Sequence, residues 1–218
     1  MTTVQQPFQF VTASYLTRVE TFRVDTIAAM YGGLNEAGES TIFYHTFQTL
    51  GRHHFLTEGF SNDFAQWVLA SCNQPVLAEQ LASIDIRDYT STQELRDDLR
   101  RIFGNFCRDK PAASEQRAFE PFYFCSATEV TLPLPWDART LAGFRAGLER
   151  LSHSSFYYHF IASRLRLGLR TNDFSHWFRT AHELHHLADR TDRIDVYTNT
   201  LDTARRELIE IVDREIGS

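Results

Sequence analysis

Val24, Ile27, Met30, Leu34 and Ala37 recur at intervals of three and four, with mostly polar or small residues between them. That spacing predicts one buried stripe of an amphipathic helix. Ala138, Leu141, Phe144, Leu148 and Leu151 predict a second helix of the same kind. Further helices are expected from Ser40 and Ser154, each read as an N-cap, and from Asn62-Asp63 and Asn172-Asp173. Short helices follow over 75–83 and 183–191. Longer ones run over 91–107, opened by Ser91-Thr92, and over 200–216, opened by Thr200. Two stretches break the helical period. PFQFVTAS and PFYFCSATEV alternate apolar and polar residues, which suits short strands or extended arms but not a sheet.

The pattern also repeats. With a shift of 114 residues, Pro7-Phe8 and Phe10 fall on Pro121-Phe122 and Phe124, and Tyr44-His45 on Tyr158-His159. With a shift of 110, Asn62-Asp63-Phe64 and Trp67 fall on Asn172-Asp173-Phe174 and Trp177. The expectation is an internal duplication. It gives one helical unit over 1–108, a polar linker over 109–119 (DKPAASEQ at its start) and a second unit over 120–218. The predicted fold class is all-α: two tandem homologous units of about five helices each, packed as a pseudo-two-fold dimer.

The net charge of −6 argues against a nucleic-acid partner, which needs a basic face. No run approaches the ~18 apolar residues of a membrane span, and the N-terminus lacks a signal-peptide pattern. Cys72, Cys107 and Cys125 are scattered, without a CxxC pair, so a reduced cytoplasmic protein is expected. All but one of the 22 basic residues are arginine, with Lys110 the exception. GC-rich coding explains the total, but single arginines remain candidates for binding carboxylate or phosphate.

The strongest candidate chemistry is a face seen twice. Thr41, His45 and Arg52 share their spacing with Ser155, His159 and Arg166. On a regular helix they lie on one side, with His and Arg about 10.5 Å apart along the axis. The hydroxyl four residues before each imidazole can fix its tautomer. Tyr44 and Tyr158 sit beside the histidines, and Asp63 and Asp173 approach from the following helix. Arginine as a fork and histidine as a second donor would hold an anionic small molecule. The same groups could serve acid–base chemistry, or could simply tie helices together.

A second candidate is HELHH at 182–186. As His-Glu-x-x-His, His182 and His186 would hold zinc and Glu183 would act as general base. Against it, the matching place in the first half reads Cys72-Asn73-Gln74-Pro75-Val76, and no zincin signature follows. No cofactor is expected otherwise. No phosphate-binding glycine loop or nucleophile-elbow motif is present.

Pro-Phe-x-Phe, both Tyr-His pairs, both Asn-Asp-Phe-x-x-Trp motifs and the closing Leu/Arg-rich helix together resemble a prokaryotic family of unknown function, one copy per half. The resemblance implies a small helical cytoplasmic protein and brings no activity, cofactor or catalytic residue. The function expected is therefore binding: an accessory protein holding an anionic small molecule or a protein partner. The alternatives are a zinc-dependent hydrolase and a structural partner subunit. Oligomeric state is left open.

Overall fold

The computed structural model describes residues 6–49 and 60–217. The chain opens with a strand, β1 (Phe8–Val24), followed by α1 (Ile27–Glu36), α2 (Glu39–His45), α3 (Asp63–Ala70), α4 (Pro75–Ala82), α5 (Thr92–Asp109) and the single turn α6 (Pro111–Ser114). A second strand, β2 (Phe122–Ala138), precedes α7 (Leu141–Arg150) and α8 (His153–Tyr157). The latter continues through a π-helical turn, Tyr158–Ala162, into α9 (Ser163–Leu167). Then come α10 (Asp173–His182), α11 (His185–Asp192) and α12 (Leu201–Ile216).

The protein is not all-α. Two strands of 17 residues each pair as an antiparallel two-stranded sheet. The side chain of Gln9 donates to the carbonyls of Leu134 and Trp136 at one end, and Arg23 donates to the Tyr123 hydroxyl at the other. Only the first residues of each strand carry the in–out alternation that marks a half-buried strand. Beyond Thr17 and Thr128 both faces are largely exposed, so the pattern fades where the strand continues.

Nor is the expected tandem duplication supported: the compact units are not the two halves of the sequence. The compact units are residues 15–128 and, separately, the described residues up to Ser14 together with those from Glu129 onward. We call them the Trp67 unit and the Trp177 unit. The helices of each take in the start of the strand that precedes the other set. The stretch read as a linker is tied down inside the Trp67 unit. Ala118 N–H donates to Asp25 O and Phe119 N–H to Ser71 O, both at 2.7 Å.

The helices begin largely where side chains can satisfy free backbone donors. Asn62 and Asn172 accept from Ala65 and Ser175 N–H, and Ser91 and Thr200 cap α5 and α12. Thr26 and Thr140 cap α1 and α7 in the same way. Ser40 and Ser154 are not caps. The chain enters α2 at Gly38 without a side-chain bond, and Ser152 caps α8 by accepting from Ser155 N–H.

In the Trp67 unit, Phe122 packs its ring against His45, Phe64 and Trp67 at centroid distances of 4.6, 5.2 and 5.7 Å. Phe124 is fully buried beside Phe22. In the Trp177 unit, Phe8 packs against His159, Phe144, Phe174 and Trp177 at 5.0–5.7 Å. Phe10 lies against Gly147, where a side chain would collide with its ring. Each tryptophan also donates its indole N–H to the backbone just ahead of a strand. Trp67 reaches Glu120 O at 2.8 Å and Trp177 reaches Gln6 O at 3.0 Å.

Candidate functional site

His45 closes α2 and is 3% exposed; His159 lies in the π turn and is 2% exposed. Each imidazole is bonded at both nitrogens. His45 Nδ1 meets Asp63 Oδ2 at 2.8 Å, and its Nε2 accepts the Cys125 N–H at 2.9 Å. His159 Nδ1 meets Asp173 Oδ2 at 2.7 Å, and its Nε2 accepts the Val11 N–H at 2.9 Å. A backbone N–H can only donate, so Nε2 must be unprotonated and Nδ1 carries the proton toward the aspartate. The tautomer is set by these two partners, not by the hydroxyl four residues earlier. Ser155 instead bonds Ser152.

This arrangement has the Asp–His half of a catalytic triad. It lacks what such a pair needs, because the basic nitrogen is already occupied by a strand amide. Burial also holds the His159 imidazole below its ordinary pKa, against the opposing pull of Asp173. It is a neutral strut joining a strand to two helices. Its loss would leave a buried N–H unsatisfied at about 1–3 kcal/mol.

Arg166 and His159 meet on the same carboxylate rather than forming a stripe. Arg166 Nη2 bonds Asp173 Oδ2, and its guanidinium lies over the Tyr158 ring, 4.2 Å from the centroid. The π turn between them breaks the regular spacing on which the predicted face rests. Arg166 is 37% exposed along its side chain and Asp173 is 14% exposed. Burial pushes the Tyr158 phenol up. Tyr44 is buried edge-on to His45. Arg52 lies outside the described residues.

The His-Glu-x-x-His pattern is not one helix face. His182 ends α10, Glu183 adopts a left-handed backbone with φ of 56°, and α11 starts only at His185. His182 stands edge-on to Trp177 at 4.5 Å, with its Nε2 buried, while His186 Nε2 bonds Glu215 at 2.7 Å. Burial lowers the His182 pKa. Among the described residues no group of three or more His, Cys, Asp or Glu is set to hold a metal. Burial pushes the Cys72 thiol up to about 12, far from a reactive thiolate.

A site that the sequence reading missed lies between α11 and α12. Arg190, Arg193, Arg214, Glu207, Glu210 and Ile211 line a groove of about 450 Å³. Glu210 steadies Arg214 at 3.6 Å, and Asn199 donates to Glu207. Arg190 and Arg193 have no carboxylate partner among the described residues. The signal was available, since residues three apart on a helix share a face. The Trp67 unit has a groove of the same volume between α4 and α5, lined by Gln80, Ser83, Arg101, Ile102, Asn105 and Phe106 among others.

No curated protein matches the chain. Among solved structures it is similar to OrfY from Thermoproteus tenax, with 28% identity over 100% of this chain and 99% of that one, and a TM-score of 0.86. No helix among the described residues is long and apolar enough to cross a membrane. A family match covers residues 5–213 in one pass, not once per half. On that match the chain belongs to the family of unknown function DUF5752.

Proposed function

We propose that the protein works without catalysis, as a cytoplasmic binding or accessory protein, and that its ligand is an anionic small molecule held in the arginine groove of the Trp177 unit. The observation that carries the non-catalytic part is the double engagement of His159, whose Nδ1 and Nε2 are taken by Asp173 and Val11. The reading of the ligand rests on Arg190 and Arg193, two guanidinium forks without carboxylate partners among the described residues, beside a third arginine and Ile211. Planar forks of this kind suit phosphate and carboxylate groups. Relative to the face expected from sequence, the task of holding an anion moves from the imidazoles to the groove. Three scattered cysteines without a CxxC pair and a net charge of −6 support a reduced compartment and a partner other than nucleic acid.

The test is calorimetric titration with inorganic pyrophosphate and with citrate. Saturable binding that is lost in Arg190→Ala/Arg193→Ala, with unchanged helical circular dichroism, is the expected result. No binding of either anion, or binding indifferent to those arginines, would overturn the reading.

A further inference from the structure

The middle of β1 is exposed along a stretch with an unusual order of side chains. Residues 16–22 read Leu-Thr-Arg-Val-Glu-Thr-Phe. Leu16 and Val19 are 61% and 63% exposed, and the Arg18 side chain is 75% exposed. Among the described residues β1 has one strand neighbour, β2, which leaves its other edge without a strand partner. Long exposed edges of this kind are templates for another strand.

The order of residues selects the strand. Laid antiparallel on itself about Val19, the segment sets Val19 against Val19, Arg18 against Glu20, Thr17 against Thr21 and Leu16 against Phe22. The pairs are of stabilising kinds, opposite charges, Thr with Thr and apolar with aromatic, with Phe22 also stacked on Phe124 of its own chain. Arg18 and Glu20 already lie on one face, 2.9 Å apart within the chain. A second copy would extend them into an alternating square of four charges. A register slip by one residue would put each charge on the wrong face.

β2 supplies the contrast. Its matching stretch contains Pro133 and Pro135, which have no N–H to offer and sit on the same side of the strand by parity. It has no self-complementary charge pair.

We propose that β1 pairs antiparallel with β1 of a second copy of this chain, across a two-fold axis at Val19, giving a four-stranded sheet in the order β2-β1-β1-β2. Such an interface is isologous, each residue meeting its complement on the partner.

Sedimentation velocity on the full chain tests this with charge variants at Arg18, 75% exposed, and at Glu20, 19% exposed and bonded to Ser126 as well as Arg18. The wild type is expected to sediment at twice its 25.2 kDa mass at micromolar concentration. Arg18→Glu alone sets glutamates against each other and Glu20→Arg alone sets arginines against each other. Each is expected to weaken self-association about tenfold or more. Mixing the two single variants restores opposite charges and should yield a heterodimer, and the double swap should dimerise as the wild type does. A cysteine at Val19 should form a disulfide-linked dimer, because residues facing each other across antiparallel strands stand about 4.5–5.5 Å apart. A Leu132→Cys control on β2 should not. A monomeric wild type, a dimer unaffected by the single charge changes, or a mixture that stays monomeric would overturn the proposal. So would failure of Val19→Cys to cross-link where the wild type is dimeric.

Discussion

The two units carry the same internal bonds around different grooves. In each, a histidine joins an aspartate to a strand amide, a tryptophan holds the backbone ahead of a strand, and two phenylalanines of that strand enter an aromatic cluster. Both grooves hold about 450 Å³ between corresponding helices. One is lined by Gln80, Ser83 and Asn105 with Arg101, Asp109 and Lys110, the other by Arg190, Arg193 and Arg214 with Glu207 and Glu210. Buried polar groups must be satisfied or cost several times the net worth of a hydrogen bond, so the struts allow little change. A groove open to water carries no such penalty. The interior therefore reports how the fold is held, and the grooves are where the two units differ.

Removing a strut is the harshest way to break this comparison. His159→Ala leaves the Val11 amide and Asp173 without their partner and opens a cavity, for an expected loss of about 3 kcal/mol. Urea unfolding would measure it, and His45→Ala should match it within about 1 kcal/mol if the two struts are equivalent. The same strut sets a pH dependence. The folded His159 pKa lies below the unfolded value of about 6.5, so the unfolded chain binds the proton more readily. This contribution to stability is full above about pH 6.5 and declines as the pH falls below it. The decline should be smaller in His159→Ala, in a pH series of melting curves.

Glycine positions give the next effect. Adding a methyl at Gly147 drives it into the Phe10 ring, whereas at Gly33 it meets Phe124 at 3.1 Å. Gly147→Ala should cost about 1–3 kcal/mol, and Gly33→Ala less than about 1 kcal/mol, by chemical denaturation.

The grooves themselves can be exchanged. Gln80→Arg/Ser83→Arg should give the Trp67 unit measurable pyrophosphate binding in the same titration, even in an Arg190→Ala/Arg193→Ala background. Absence of a gain would show that two forks are insufficient without the Arg214 side. The smallest effect concerns matching left-handed residues. Asn73 tolerates its φ of 52° and Glu183 tolerates its φ of 56° less well. Glu183→Gly should therefore stabilise the protein by about 0.5–1 kcal/mol, while Asn73→Gly changes little, by thermal melts.

Much of the local structure was legible before any coordinates. The three-and-four spacing from Val24 to Ala37 found α1, and Asn62, Asn172, Ser91 and Thr200 marked true helix starts, because capping is a short-range bond between near neighbours. His45, Asp63, His159 and Asp173 were chosen as groups that act together, and they do meet. Their role was not legible. The third partner is the backbone N–H of Cys125 or Val11, and every residue except proline offers one, so no side-chain signal marks it. The HELHH pattern misled for a related reason. Its spacing presumes a continuous helix, and the left-handed Glu183 ends that helix after His182.

By itself the sequence determined most of the helices, several of their caps and which polar groups would need partners, since these follow from periodicity and from bonds spanning a few residues. Only the tertiary structure decided that Phe8 and Phe10 pack with the helices after β2, that Phe122 and Phe124 pack with those after β1, and that two faint arms pair along 17 residues. Those choices join positions far apart in the chain, as in the 80 residues between His45 and Cys125. Aromatic burial and backbone pairing reward either partner at the level of composition, and only the shape of the assembled cores chooses between them.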